Sequence, residues 1–537
     1  MERLLLTGFS GRLPKLSAKL LKQNQAQVAT NCDLRSGEIK PFKALNQDAT
    51  TYDAAIISVS PIDTEMFTST LDCDFVKHDI DGTPTLLVSD GTNYPKQYTD
   101  ALYPSDHRRL GVVPPTSALA ITFNTIGGIS DTEIVDTVSY VYTYVTSWGE
   151  ESAPSTATPA VNVQANQYIT LTNFDTPVVA NKNDITAIRI YRVSTGLKTA
   201  EYYYLDEVDD QTTTYNDYEV GVGLKDVTSD ILPTENWIQP PDGMAGLCRY
   251  ANGMLAGFKD NTLYLCEPFV VYAWPTQYTI DFDSDIVGIK PYNESIIVCT
   301  TTKTYIVSGN SPDIMVPVHI PTQQACISKR TMVETNAGVM YASPDGLTLV
   351  NETKALVVTS EIITKEQWQA LTPADIISFW YDEMYIGFFA GTDTGFTIID
   401  GSWVDIDLGG GTVEGGYVAP DTDKLWLIMD RTSYAYLESF NDHATNYLTY
   451  TWKSKQFDFN FPTSYSCAKA YSAGSFNLIV YGDGSEVLGS TAITNQHMFR
   501  LPSISRYWDM EASVTGSTNA VIESLLFAVS PQLLRMG

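Results

Sequence analysis

The feature that most constrains the fold is a pair of turn signals that recurs five times between residues 250 and 435. The first turns lie 39 to 46 residues apart, at Asn252-Gly253, Asn293-Glu294, Asn336-Ala337, Asp382-Glu383 and Asp421-Thr422. A second turn follows each of them 8 to 10 residues later, at Asp260-Asn261, Thr302-Lys303, Asp345-Gly346, Thr392-Asp393 and Arg431-Thr432. Each pair encloses a short apolar run such as SIIVCT or MYIGFF. This repeat predicts the blades of a β-propeller, because one small sheet cannot bury both of its faces alone.

A sixth copy of the signal lies far upstream, at Asp81-Gly82 and Asp90-Gly91. The chain is therefore predicted to be mainly β, with an interrupted propeller of about six blades. We expect the first blade or blades over residues 50–111 and the remaining blades over 241–444. Residues 1–49 form an N-terminal arm, and residues 445–537 form a C-terminal β-sandwich that makes a platform with the arm.

Residues 112–240 are predicted to be a separate β-sandwich inserted into the propeller. Pro-rich segments flank it, and it contains a strongly alternating strand over Val138–Val145. Further strands are expected at Tyr168–Thr172, Ala187–Val193 and Tyr202–Asp206, and regular short strands of this kind are typical of sandwiches. The run YVYTYVTSWGEESAPS resembles the strand and turn of fibronectin type III-like modules.

Two helices and a set of C-terminal strands complete the expected elements. In the arm, Ser17 is a candidate helix cap, with Leu16, Leu20 and Val28 along one apolar edge. Thr364 and Gln367 form a capping box that opens a short helix. The C-terminal strands are expected over Tyr450–Phe457, Ala468–Ala473, Asn477–Tyr481 and Ile522–Ser530.

The composition excludes several function classes. Lys and Arg total 33 against 63 for Asp and Glu, a net charge of −30, so a tight grip on nucleic-acid phosphates is disfavoured. The seven cysteines are scattered without a CxxC motif, which favours buried free thiols and a reducing cytoplasm. The opening residues are too short an apolar stretch for a signal peptide, and no run is long enough for a membrane span.

The motif search yields no catalytic, cofactor-binding or metal-binding residues. There is no GxSxG elbow, P-loop or HExxH motif, and the five histidines lie far apart. The segment Asp281–Asp285 offers carboxylates at alternating positions, as a calcium loop does. Its sixth position is Ile286 and its twelfth is Tyr292, which excludes an EF-hand and leaves a solvated acidic strand end or an adventitious cation site. We therefore expect no enzyme.

The two ends of the chain together resemble the nozzle proteins of short-tailed bacteriophages, the tail tubular protein B family. At the N-terminal end the resemblance is carried by short segments that share a family pattern: Gly8–Gly11, Leu13-Pro14, Gln25–Asn31 and Leu34–Pro41. At the C-terminal end it is carried by Trp452–Phe457, Arg500-Leu501-Pro502 and Ala528–Leu533. The resemblance rests on the order of these short motifs, on the predicted propeller between them and on their coverage of nearly the whole chain.

The resemblance implies a structural virion protein of the tail, made in the host bacterial cytoplasm. It implies a homohexameric ring below the portal adaptor, in contact with tail fibres or spikes, whose channel retains the double-stranded DNA genome and conducts it at ejection. The channel-lining and gate residues stay unknown from the sequence. The alternatives are a host-receptor or glycan-binding tail spike and a propeller glycosidase.

Overall fold

The computed structural model of the chain describes residues 2–80, 82–194, 201–219, 230–494, 498–502 and 506–534. The protein is mainly β, with 52% strand and 5% helix. The helices are the α-helix Lys365–Gln369 and the 3-10 turns Val179–Asn181, Ala251–Gly253, Pro312–Ile314, Lys329–Thr331, Pro373–Asp375 and Pro531–Leu534. The predicted mainly β class is confirmed.

Six antiparallel sheets of four strands, called sheets 1 to 6, recur within the described residues. Their strands are, in hydrogen-bonded order, Asp74–Ile80, Thr83–Ser89, Lys96–Tyr98 and Arg108–Arg109 (sheet 1); Ala245–Arg249, Leu255–Lys259, Thr262–Leu265 and Thr279–Asp281 (sheet 2); Ile286–Tyr292, Ser295–Thr300, Thr304–Ser308 and Val316–Ile320 (sheet 3); Val333–Thr335, Gly338–Ser343, Gly346–Val350 and Ala355–Val357 (sheet 4); Ile376–Tyr381, Met384–Phe389, Thr394–Ile399 and Ser402–Asp407 (sheet 5); and Thr412–Ala419, Lys424–Asp430, Ala435–Ser439 and Asn46–Tyr52 (sheet 6).

The recurring turn pairs lie where the sequence predicts them, between the first and second and between the second and third strands of sheets 2 to 6. The second turn of the upstream copy, Asp90-Gly91, likewise ends the second strand of sheet 1, whereas Asp81 lies outside the described residues. Several turn residues adopt left-handed backbone, for example Asn293 at φ 52° and Asp382 at φ 51°. Asn and Asp tolerate this conformation better than most side chains, which explains their recurrence.

The first strands of the six sheets lie side by side in chain order. Each contacts the first strand of the next sheet in chain order, from sheet 1 through sheet 6. The hairpin Ser58–Pro61 with Met66–Ser69 contacts the first strand of sheet 6, and the Ser58 hydroxyl accepts a hydrogen bond of 3.0 Å from the Cys73 amide beside sheet 1. The fourth strand of sheet 6 comes from the N-terminal part of the chain, with Tyr52 opposite Ala435.

Residues 120–217 form two further sheets around their own apolar core. One contains Ala120–Thr125, Gln167–Thr172 and Thr214–Asp217, and the other contains Val161–Gln164, Ile134–Thr146, Ile185–Ser194 and Tyr203–Asp209. The four strands predicted here are confirmed, with Tyr202 one residue before its strand. Between the sheets a fully buried Arg192 pairs with Asp217 at 2.6 Å, and the Tyr140 hydroxyl donates to the same carboxylate at 2.7 Å.

The two chain ends build the remaining sheets. One sheet has the order Arg3–Thr7, Val521–Ala528, Cys467–Ala473 and Met498–Arg500. The other extends sheet 5 through Ala26–Thr30, Tyr450–Ser454, Tyr507–Gly516, Ser475–Gly482 and Ser485–Thr494, with Phe457–Thr463 beside Tyr507–Gly516. Two short strands, Cys32–Asp33 and Lys40–Pro41, pair with each other. The largest apolar core joins residues of both ends with sheets 5 and 6, so it is continuous across the predicted boundary at residue 444.

The predicted helix in the N-terminal arm is wrong. Residues 13–25 make isolated turns instead, and its expected apolar edge, Leu16, Leu20 and Val28, is exposed. The backbone is drawn into contacts with distant segments, because the Lys15 amide donates to the Ile362 carbonyl and the Ala18 carbonyl accepts from the Gln456 amide. Helical periodicity alone does not form a helix when no face is available to bury its apolar edge.

The second predicted helix is confirmed. Thr364 caps Lys365–Gln369, and both reciprocal hydrogen bonds of the capping box with Gln367 are present. The seven cysteines are free, five of them buried and Cys73 and Cys248 half-buried. In the part of the chain that the structure describes, no helix has both the length and the apolar run needed to cross a membrane.

Candidate functional site at the joined chain ends

The segments that carry the resemblance at the two ends of the sequence meet in space. Ala26–Thr30 pairs with Tyr450–Ser454, placing Ala29 opposite Trp452. On its other side Thr30 pairs in parallel with Asp405 of sheet 5. The N-terminal segment is thus a central strand that joins the C-terminal sheet to sheet 5.

Trp452 anchors this junction. Its indole is fully buried, packs edge-on against Phe9 at a centroid distance of 4.8 Å, and donates from Nε1 to the Ser10 carbonyl at 3.0 Å. Gly11 lies so close to sheet 5 that a Cβ atom there would meet the Trp403 carbonyl oxygen at 2.5 Å. The arm therefore passes between the Trp452 and Trp403 segments at a position where only glycine fits.

Asn31 ties three segments together from a left-handed backbone position with φ 54°. Its side-chain amide donates to the carbonyls of Asp407 and Thr449, both at 2.8 Å, and its carbonyl oxygen accepts from the Asp407 amide at 2.9 Å. The Asn31 side chain is buried, so these bonds satisfy its own amide group, which water does not reach.

A polar cluster next to Asn31 fixes the arm to sheet 5. The Arg12 guanidinium contacts the Asp405 carboxylate at 2.7 Å, and Trp403 Nε1 donates to the same oxygen at 2.9 Å. Burial raises the pKa of Asp405, although Arg12 opposes the rise. Trp403 is stacked on Phe396 at 4.1 Å, which holds the indole in place.

The outer side of the joined ends exposes apolar side chains, here called the end surface: Leu20, Phe461 and Trp508. Their exposed fractions are 71%, 79% and 57%. Lys19, next to Leu20, contacts Asp458 at 3.0 Å, which ties the arm to the strand that carries Phe461. Large exposed apolar side chains grouped on connected segments are typical of surfaces that contact other proteins.

The structure gives no geometric support for a cation site at Asp281–Asp285. Asp281 accepts from the Thr262 hydroxyl across the sheet at 2.6 Å, whereas Asp283 pairs with Lys303 and accepts from the Tyr305 hydroxyl at 2.7 Å. The carboxylates thus have separate partners. Among the described residues, no three His, Cys, Asp or Glu side chains are grouped as metal ligands.

The sequence did not reveal the charged residues that lie between the first strands of the sheets. Lys290, Lys329 and Arg330 line a cavity there together with Asp74. The available signal was a cation inside an otherwise apolar strand, as in the run IVGIKPY that contains Lys290. A lysine within such a strand is unusual unless the residue faces a cavity or a partner.

Comparisons with known proteins identify no family. No protein-family model matches the chain, and no curated protein matches it. Solved structures that resemble it include the extracellular domain of the hybrid two-component system BT4673 from B. thetaiotaomicron, at 9% identity and a TM-score of 0.30 over 84% of this chain. The chain spans 47% of that protein.

Two further solved structures show likenesses of the same order. Hsv2 from Kluyvelomyces marxianus has 9% identity and a TM-score of 0.26, over 55% of this chain and 90% of its own. PorZ, a surface component of the type-IX secretion system of Porphyromonas gingivalis, has 7% identity and a TM-score of 0.26, over 89% of this chain and 77% of its own. Likenesses this weak carry no argument about function, so the resemblance to tail nozzle proteins stays a prediction.

Proposed function

We propose that the protein is the tail nozzle of a short-tailed bacteriophage, a structural virion protein that forms a ring-shaped DNA channel. The channel retains the packaged genome and conducts it at ejection. The chain assembles as a homohexamer below the portal adaptor ring and contacts tail fibres or spikes. It is made in the host bacterial cytoplasm and acts in the virion, with no enzymatic role.

The observation that carries the proposal is the meeting of the resemblance segments. Gln25–Asn31 and Trp452–Phe457 are more than 400 residues apart in the sequence, yet Ala29 and Trp452 are register partners. Segments that pack together in one folded unit are expected to carry a common sequence pattern within a family. This agreement is independent of the three features on which the resemblance rests, namely the order of the motifs, the predicted propeller between them and their coverage of nearly the whole chain.

The proposed architecture has three parts. Sheets 1 to 6 are the blades of one β-propeller, a proposal supported by their common strand order and by the contacts between successive first strands. Residues 112–240 are a fibronectin III-like sandwich inserted between the first two blades. The arm and residues 445–537 form the platform, which is supported by their shared sheets.

The end surface is the proposed contact between subunits. Leu20, Phe461 and Trp508 expose apolar area on the body formed by the chain ends. A ring needs a heterologous contact that closes on itself, and buried aromatic anchors supply most of the binding energy of such contacts.

The decisive experiment is imaging of the protein by itself and in particles. Electron microscopy of the purified protein, with mass photometry, is expected to show sixfold rings. Antibody labelling of purified phage particles is expected at the tail. A trimer that binds glycan would instead support the spike alternative, and sugar hydrolysis lost on a single Asp or Glu substitution would support a glycosidase.

A further inference from the structure

The first strands of the six sheets line a cavity, called the axial cavity, that has two adjacent parts. The wider part has a volume of about 660 Å³, and the first strand of every sheet contributes to its wall. The narrower part, of about 170 Å³, lies against the hairpin residues Ile57 and Ser58. Asp74, Lys290 and Ser378 line both parts, so the two are adjacent. A volume in this range suits a small molecule.

The cavity wall has the opposite charge to the rest of the protein. Its basic residues are Lys77, Arg249, Lys290, Lys329 and Arg330, and its acidic residues are Asp72, Asp74 and Glu334. The whole chain carries a net charge of −30. An excess of cations at the axis of so acidic a protein is therefore a local feature, since composition alone would give an acidic wall.

The acidic residues neutralise only one of these cations. Lys329 contacts Asp74 at 3.0 Å and Asp72 at 3.3 Å. Burial opposes the charge of Lys329, but the two carboxylates outweigh it and raise the pKa of the ammonium group. Asp72 and Asp74 therefore already form ion pairs with Lys329.

Two other cations are only partly compensated: Lys290 opposes the burial-driven rise in the pKa of Glu334, and Arg330 interacts with carboxylates only at longer range. Among the described residues, no carboxylate lies within salt-bridge distance of Lys290 or Arg330. Burial lowers the pKa of Arg330, and the more distant Asp72 and Glu414 offset this only in part. Within the described ranges, the hydrogen bond of the Arg330 guanidinium goes to the Glu414 carbonyl, at 2.5 Å. A half-buried guanidinium without a carboxylate is costly, and the cost is recovered when an anion binds.

We propose that the axial cavity binds a small anion that carries two or more phosphate or carboxylate groups. Arg330 holds one group in the narrow part, where its planar donors suit a phosphate or carboxylate. Lys290, which lines both parts, holds the same group or the next one, and Arg249 and Lys77 attract the remainder at the wide end. This site does not depend on the proposed function, because it uses only the geometry around the axis.

The test is calorimetric titration of the full chain with inorganic pyrophosphate and, separately, citrate, at matched ionic strength. Saturable binding with one site per chain is expected for at least one of them, and comparison of the two probes separates phosphate from carboxylate recognition. Arg330→Gln and Lys290→Gln are each expected to weaken binding at least tenfold. The matched control is Lys43→Gln, which removes a cation from an exposed position and should leave binding unchanged.

Arg330→Lys keeps the positive charge and guards against a folding defect in Arg330→Gln. It is expected to retain more affinity than Arg330→Gln, with thermal melting curves confirming that each variant is folded. The proposal is overturned if neither probe binds saturably, or if Lys290→Gln binds as tightly as the unaltered protein.

Discussion

At the scale of the residue, Asn31 has the largest structural role for its size. Asn31→Ala removes three side-chain hydrogen bonds to backbone groups of two neighbouring segments and leaves an alanine at φ 54°. Each hydrogen bond contributes about 0.5–1.5 kcal/mol, so we expect a total loss of about 3 kcal/mol. The measurement is the midpoint of urea unfolding, followed by tryptophan fluorescence.

The matched control for this prediction is Asn173→Ala. Asn173 also has left-handed backbone, with φ 69°, but its exposed side chain donates a single hydrogen bond to the Ala118 carbonyl. We expect it to cost about 1 kcal/mol or less. Equal losses in the two variants would show that the buried bonds of Asn31 contribute little.

Glu150 makes a second prediction at this scale, on pH dependence. It is buried beside Gln97 of sheet 1, and burial raises the pKa of its carboxyl group from 4.5 to about 7. The folded state therefore binds the proton more tightly than the unfolded state does. The stabilisation is fully present below about pH 4.5 and is lost as the pH rises through 7.

Glu150→Gln is expected to abolish this dependence. At pH 8 the variant should be more stable than the unaltered protein, by at most about 3 kcal/mol, the free energy equivalent of the pKa difference. Melting temperatures between pH 5 and 8 test this, with the exposed Glu352→Gln as control. If the two variants show the same pH profile, Glu150 is not the group responsible.

At the scale of the element, the sequence predicted those turns and helices whose determining residues lie within a few positions of one another. The turn pairs were predictable because Asn and Asp at left-handed positions act within four residues. The Thr364 helix was predictable because its cap lies within its own first turn. The arm was not, since its strand Ala26–Thr30 depends on partners at Tyr450–Ser454 that no local pattern reveals.

The strand Asn46–Tyr52 shows how an element with little sequence signal acts through its backbone. Its side chains are mostly exposed, so its pairing with Ala435–Ser439 rests on main-chain hydrogen bonds. Neighbouring residues of a strand point their N–H groups in opposite directions, so one of Thr51 and Tyr52 donates towards Ala435–Ser439. The double variant Thr51→Pro with Tyr52→Pro must therefore remove one main-chain hydrogen bond of this pairing, because proline has no N–H group. We expect at least tenfold faster amide exchange in Ala435–Ser439.

The control for the strand is a second proline pair, Asp48→Pro with Ala49→Pro. These residues lie where the pairing register shifts, between the partners of Tyr436 and Glu438. Prolines are tolerated at such irregularities. Faster exchange in the control but not in the first variant would contradict the assigned register.

At the scale of the whole molecule, the charged axial cavity and the joined ends could not be predicted from the sequence. Lys290 and Asp74 lie in the first strands of different sheets and Lys329 lies in a 3-10 turn, and only the folding of the chain brings them together. The end surface raises the same difficulty, since Phe461 and Leu20 are far apart in the chain. The sequence predicts the repeated sheets well because each repeat is a local unit.

Assembly gives a prediction that belongs to this scale. Under the proposed ring assembly, Phe461→Ser and Trp508→Ser are each expected to shift the purified protein from rings towards single chains, because each removes a large exposed apolar side chain of the end surface. Mass photometry at a fixed concentration measures the shift. Phe269→Ser is the matched control, since Phe269 is 76% exposed against 79% for Phe461 but lies beside sheet 2. A ring population unchanged by both variants would place the contact elsewhere.

The final prediction concerns DNA, and it follows from the charge of the whole chain. In the proposed ring each subunit carries a net charge of −30, so we expect a predominantly acidic channel wall that repels phosphates, with the repulsion screened over about 8 Å at physiological ionic strength. A wall rich in Lys and Arg would instead bind DNA tightly, with a steep salt dependence, and would retard ejection.

We therefore expect duplex DNA to bind the protein only weakly at about 0.15 M salt, with a dissociation constant well above micromolar. Fluorescence anisotropy of a labelled duplex measures this affinity. Sub-micromolar binding would contradict the acidic-wall model. The axial cations do not alter the expectation, because the cavity that holds them has a volume of about 660 Å³, which suits a small molecule and is too small for a duplex.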